Sequence, residues 1–188
     1  MGALTICGAL AKNDSTGCRT RYGNPLYMVV QKVAGSLTVA GDTPTVAEIT
    51  TGLAASGDDK CIVLGPYAGG QWGEPQVTTV NGDDTVRGLT EQVFSINQVT
   101  GKFSELTETE REELATVNTN NRVKAWIIDD AGYVWGEASG YEGALNIDPK
   151  SKTRDNFMSM PFSFEWLDNL DSTDKAAQDS GFLSLTNP

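Results

Sequence analysis

Between Asn156 and Trp166 the apolar side chains recur on every second residue: Met158, Met160, Phe162, Phe164 and Trp166. A period of two places all five on one side of an extended strand, whereas a helix would scatter them around its axis. Such a strand needs a second layer over its apolar side, and the preceding residues supply one. Thr90–Val99 alternates, Glu108–Val117 reads as one short helix, and Arg122–Glu137 reads as two apolar strands joined by the turn Asp129-Asp130-Ala131-Gly132. The expectation is a mainly β protein: a β-barrel or β-sandwich of short antiparallel strands with one flanking α-helix over 108–118.

Local signals refine this outline. Thr107 and Glu110 have capping-box spacing, each side chain within reach of a free amide of the other. Leu114 and Val117 share the helix face that would turn inward. Further strands are expected at Leu4–Leu10, Pro25–Val33 and Lys60–Leu64, with Ser36–Ala40 pairing back on the second of these across Ala34-Gly35. Gln76–Val80 and Asp83–Leu89 read as strands joined at Asn81-Gly82, because both residues tolerate positive φ. Asp42–Gly52 could form a second helix, capped by Thr43 with Pro44 at its first position. Its β-branched Thr45, Val46, Ile49, Thr50 and Thr51 weigh against that. Residues 65–75, rich in glycine and carrying Tyr67 and Trp72, read as a long irregular loop.

The domain organisation expected is one β domain over 1–166 and an acidic C-terminal arm over 167–188. Phe182, Leu183 and Leu185 form a small apolar cluster within that arm. Exposed, it would be a liability, so it should dock on its own chain or on a neighbour.

Composition narrows function. The 188 residues carry 25 acidic and 14 basic side chains, a net charge of −11. Such a chain repels phosphate, which disfavours nucleic-acid binding and adhesion to an anionic membrane. Histidine is absent, which removes the usual general base near neutral pH and the commonest zinc ligand. The cysteines, Cys7, Cys18 and Cys61, lack metal-ligand spacing and read as small buried hydrophobes. No nucleophile elbow, phosphate-cradling glycine loop or calcium-loop pattern occurs. The pairs Asp58-Asp59, Asp83-Asp84 and Asp129-Asp130 sit where turns are expected, and aspartate favours turns for its own hydrogen-bonding reasons. The expectation is a protein without catalytic, cofactor or metal residues. No signal peptide or membrane-spanning run is visible, so synthesis in the cytoplasm is expected.

The order of elements resembles a known family. A strand ending Val93-Phe94-Ser95-Ile96-Asn97, then Gly101-Lys102-Phe103, then a short helix, resembles the middle of phage tail-tube proteins. The segment Arg122–Glu137 is similar to virion proteins of short-tailed phages of gut bacteria, the crAss-like group. Cys18-Arg19 with Pro25-Leu26-Tyr27-Met28-Val29 is similar too. The resemblance covers about half the chain. It implies a tail-tube-like β domain whose copies join edge to edge into a ring in the tail or neck, with stacked rings forming a conduit for DNA. It also implies a virion location, extended terminal arms, and neighbours among the tail and portal proteins. DNA would pass without specific binding, and the oligomer expected is cyclic, of about six or twelve copies. Leu4 and Ile6 at one end, and Phe182, Leu183 and Leu185 at the other, are the expected inter-subunit contacts. The alternatives are a capsid auxiliary or decoration protein, and a cellular β-sandwich carbohydrate-binding module using Tyr67, Trp72 or Trp135.

Overall fold

A computed structural model describes residues 23–73, 76–81, 90–103, 108–147, 151–152, 158–168 and 177–187. It is mainly β, and every strand pairing among these residues is antiparallel. In chain order the strands are β1 (Pro25–Lys32), β2 (Cys61–Leu64), β3 (Tyr67–Trp72), β4 (Gln76–Asn81), β5 (Thr90–Phe103) and β6 (Arg122–Asp129). They continue with β7 (Tyr133–Trp135), β8 (Tyr141–Ile147), β9 (Ser151–Lys152), β10 (Met158–Asp168) and β11 (Ala177–Gln178). Two α-helices accompany them, α1 (Val46–Ala54) and α2 (Glu108–Val117).

The strands run β11-β7-β6-β8-β10-β5-β3 across the sheet. β7 and β8 share one edge of β6, at Ile127–Ile128 and Arg122–Ala125 respectively, β1 lies along its other edge, and β2 lies beyond β1. The sheet curls until β3 meets the start of β1. A Cβ on Gly70 would lie 2.0 Å from the Pro25 carbonyl oxygen, so only glycine permits this approach. The Trp72 indole N–H, also on β3, donates to the Gly23 carbonyl at 2.7 Å. The result is a barrel-like wall.

The alternation of β10 is realised. Phe162, Phe164 and Trp166 are buried in the interior and Met160 packs against them. Tyr67 sits 4.5 Å from Phe162 between ring centroids, and Phe162 stacks on Phe103 at 4.5 Å. Tyr141 stacks on Trp166 at 4.6 Å. Leu114 and Val117 of α2 join this interior cluster, so the helix covers it as the sequence suggests. The Lys60–Glu113 ion pair ties α2 to the start of β2. Thr107, the expected cap of α2, lies outside the described residues, as do Leu4–Leu10, Cys7, Cys18 and Asp83–Leu89.

A second apolar cluster lies on the outer face, so β1, β2 and β6 are buried on both sides. Met28 and Val30 point inward while Val29 points outward. Ile62 and Leu64 point inward while Cys61 and Val63 point outward. α1 covers this outer face with Ile49 and Leu53.

Several expectations are corrected. Among the described residues there are two α-helices rather than one flanking helix alone, and the candidate at Asp42–Gly52 is realised as α1 with other bounds. α1 is capped by Thr45, not Thr43, and runs past Gly52 to Ala54. Thr45 and Glu48 have the three-residue spacing that a capping box needs. Both bonds form: Glu48 N–H donates to Thr45 Oγ1 at 3.3 Å, and Thr45 N–H donates to Glu48 Oε2 at 2.7 Å. Ala40 N–H donates to the same side chain at 2.8 Å. These donors hold the Glu48 carboxyl below its ordinary pKa, the Thr45 backbone bond contributing most.

Residues 65–75 are not a loop throughout. Tyr67–Trp72 is strand β3, with a register irregularity between Ala68 and Gln71 that absorbs the glycines. Ser36–Ala40 forms no strand, because β1 takes β2 and β6 as partners instead. Ser36 N–H donates to Asp59 Oδ1 at 2.8 Å. Trp126 and Trp135 fall on opposite faces of their hairpin. Trp135 stands opposite Ile127, so one-residue alternation sends Trp126 to the outer cluster and Trp135 to the interior.

Candidate functional site

Two features of this frame stand out as candidates: a strap across the outer face and a ribbon extending from the barrel wall. The strap is residues 177–187. It begins as β11, pairing Ala177 with Val134 and Gln178 with Tyr133 on the edge of β7. Asp179 N–H donates to the Gly132 carbonyl at 3.0 Å, and Gln178 Nε2 donates to the Ala131 carbonyl at 3.2 Å. Gly132 closes the β6–β7 turn with φ +80, a conformation that favours glycine. A 3-10 turn follows at Ser180–Ser184, capped by Asp179, whose Oδ1 accepts from Gly181 N–H at 2.8 Å.

The turn delivers Phe182 into the outer cluster, where it is 1% exposed, and Leu185 follows at 8%. Asn187 then reaches the far edge of β2. Its Oδ1 accepts from Val63 N–H at 2.8 Å, and its Nδ2 donates to the Val63 carbonyl at 2.9 Å. The amide thus occupies the place of a neighbouring strand. The apolar cluster of the expected arm is therefore seated on its own chain. Phe182 and Leu185 are buried there, and Leu183 packs beside them. Leu4 and Ile6 lie outside the described residues.

The ribbon arises from β5. Val99–Phe103 pairs with β3, and Thr90–Ile96 pairs with β4 along the same edge. Gly73 N–H donates to the Gln98 carbonyl at 2.7 Å and bridges the junction. On the opposite edge β10 accompanies β5 only from Ser95 to Phe103. Among the described residues, Thr90–Phe94 is therefore paired with β4 alone. At the end of β4, Asn81 stands opposite Thr90, and Gly82 of the expected Asn81-Gly82 turn lies outside the described residues. Beside the ribbon's base Leu167 stands opposite Ile96. Leu167 is the exposed large hydrophobic residue among those described, 65% accessible.

Two aspartates among the described residues hold the β6–β7 turn and the approach of β1 together. Asp129 is fully buried and accepts four hydrogen bonds. Its Oδ1 takes Ala131 N–H at 3.0 Å and Tyr133 N–H at 2.9 Å, while its Oδ2 takes Gly23 N–H and Trp135 Nε1–H, both at 3.2 Å. One carboxylate thus ties the β6–β7 turn to the approach of β1. Asp130 holds the same approach through Asn24, whose N–H donates to its Oδ1 at 3.1 Å. The sequence marks these residues only as a turn, and nothing in it foretells the long-range partners. Asn187 was equally silent.

Burial pushes the Cys61 thiol up to about 12, with the nearby Asp59 charge adding to the effect. A thiol so placed is inert as a nucleophile near neutral pH. Burial also pushes Tyr67 well above its ordinary value. Among the described residues, no group of three or more His, Cys, Asp or Glu could hold a metal ion. No helix among them is long and apolar enough to cross a membrane. No protein-family model matches the chain, and no curated protein matches it.

Proposed function

We propose that this protein is a structural subunit of a bacteriophage virion, assembling as a ring in the tail or neck that provides a conduit for DNA. The observation that carries this reading is the ribbon. Gln76–Asn81 and Thr90–Phe94 form two strands without a third among the described residues. A two-stranded ribbon is marginally stable in water and gains most from adding a strand or a packed face. A sister copy can supply both, and a repeated contact of this kind between unlike surfaces makes a ring where the rotation per copy closes. The net charge of −11 fits a lining past which DNA slides. The domain would then be tail-tube-like, with its neighbours among the tail and portal proteins.

The carbohydrate-module reading has less support. Of the aromatic residues it would use, Tyr67 is 6% exposed and Trp135 2%, which leaves neither with a face for a sugar ring. Light scattering and electron microscopy of the purified protein test the proposal. Closed rings of about six or twelve copies are expected. A particle that remains a single copy at every concentration, with no larger assembly in the virion, would sink it. A position on the capsid shell would favour the decoration-protein alternative.

A further inference from the structure

The chain enters β1 through a dense grip on residues 23–24. Gly23 N–H donates to Asp129 Oδ2 at 3.2 Å, and the Gly23 carbonyl accepts from Trp72 Nε1–H at 2.7 Å. Asn24 N–H donates to Asp130 Oδ1 at 3.1 Å and Asn24 Nδ2 to Asp130 Oδ2 at 3.3 Å, while the Asn24 carbonyl accepts from Asp130 N–H at 2.9 Å. These bonds fix the point at which the residues before Gly23 join the barrel. That point lies against β3. Gly70 passes Pro25 at a distance that excludes a Cβ, and two residues further along β3 Trp72 reaches Gly23, two residues further back. β3 and β4 follow one another along the same edge of β5, with Gly73 N–H bonded to the Gln98 carbonyl between them. Their other edge therefore runs on from β3 to β4, and along Gln76–Asn81 it carries no strand among the described residues.

We propose that the outer edge of β4 is a docking site for this chain's own residues 18–22, laid antiparallel to it as a third strand of the ribbon. Those residues lie outside the described ones; their point of attachment and their sequence carry the assignment. They join directly to the fixed Gly23. Continued backward at the same step, the chain brings Cys18 level with Val77. Cys18-Arg19-Thr20-Arg21-Tyr22 contains no glycine or proline, and threonine and tyrosine favour strands. Its two arginines complement the ribbon, because residues 74–91 carry Glu74, Asp83, Asp84 and Glu91 against the single Arg87. A third strand also relieves the marginal stability of a two-stranded ribbon and covers an edge that invites unwanted pairing. It leaves Thr90–Phe94 as the ribbon's open edge. The inference goes beyond the ring reading and does not depend on it.

Cys18 makes the test direct. Full-length chains with Cys7→Ser receive a thiol through Gln76→Cys, Val77→Cys or Thr78→Cys, and a control receives one through Thr51→Cys on the exposed side of α1; Cys61 is buried. In a glutathione buffer at least one ribbon variant should link to Cys18 within one chain at least about fivefold more than the control, since facing strand residues lie within disulfide reach. Peptide mass mapping of mixed isotope-labelled and unlabelled chains separates links within a copy from links between copies. Arg19→Pro and Thr20→Pro give a second readout, because one of these adjacent N–H groups faces β4 and proline removes it. In that variant alternate amides of Gln76–Asn81 should exchange about tenfold faster than in the native chain. Natively folded cysteine variants with no intrachain link above the control overturn the proposal, as does β4 exchange unchanged in both proline variants. Links found only between labelled and unlabelled chains also overturn it and give the edge to a sister copy.

Discussion

Asn187 holds Val63 by both of its backbone groups, at 2.8 and 2.9 Å, across 124 positions of sequence. A side-chain amide thereby does what a neighbouring strand would do. An edge strand with free N–H and C=O groups is a template for unwanted pairing, and at Val63 that template is occupied.

Asn187→Ala should therefore act in two ways. Loss of two part-buried hydrogen bonds should cost about 1–2 kcal/mol in urea denaturation. Hydrogen exchange at the Val63 amide should quicken while amides within β6 stay protected. An unchanged Val63 exchange rate would show that something else guards this edge.

Phe182 and Leu167 make a matched contrast. Phe182→Ala empties a fully buried site among Val29, Trp126 and Ile128 and should lower stability by about 3–5 kcal/mol. Leu167→Lys, at a residue 65% exposed, should change the stability of the single chain by less than about 0.5 kcal/mol. If the ribbon's base meets a sister copy, the same lysine should weaken assembly measured by sedimentation.

Asp129 concentrates four donors on one carboxylate. Asp129→Ala strands them in a buried place and should cost about 3 kcal/mol or more. Asp129→Asn keeps one oxygen but turns an amide N–H₂ toward the remaining donors, so it should recover only part of that loss. Chemical denaturation of the two variants decides the order. An alanine variant as stable as the native protein would remove Asp129 from this role.

Cys61 gives a pH dependence with a definite sign. Its thiol titrates at about 12 in the fold against 9.0 as the ordinary value. The unfolded chain thus releases this proton first as pH rises. The stability contribution is complete below about pH 9 and is lost progressively as pH climbs toward 12. Cys61→Ala should flatten that decline. At pH 8 iodoacetamide should leave the Cys61 peptide unmodified in the native protein and label it in urea, as peptide mass mapping would read.

Glu48 carries the opposite sign. Its pKa is lowered by backbone donors from Thr45 and Ala40, so its contribution is present above the unfolded carboxyl value and fades as pH falls through the folded one. Glu48→Ala should remove that acid-limb component and fray the start of α1, seen as lost helical signal in circular dichroism.

The parts of the fold legible in the sequence were those with one dominant period. β10 announced its inward side through Phe162, Phe164 and Trp166, and α2 through Leu114 and Val117. β3 was hidden because Gly69 and Gly70 suppress both alternation and strand propensity, yet Gly70 is required where β3 passes Pro25. α1 was ambiguous because Thr43 and Thr45 both suit a cap, and only Thr45 has Glu48 three residues on. The bond from Gly23 to Asp129 and the bonds between Asn187 and Val63 were illegible for a simpler reason. A hydrogen bond across more than a hundred positions leaves no trace in local spacing.

The two-sided burial of β1 carries a consequence for how this chain finds its arrangement. A strand with one wet face announces a misplacement at once, because every greasy group swings outward. Val29 and Val30 could trade places with little penalty of that sort. The exception is Gln31, fully enclosed, whose Nε2 donates to the Asp59 carbonyl at 2.9 Å. Slide the strand by one position and that amide is driven among the aromatic rings with nothing to bind. A single polar group is thus the sentinel of alignment for the centre of the molecule.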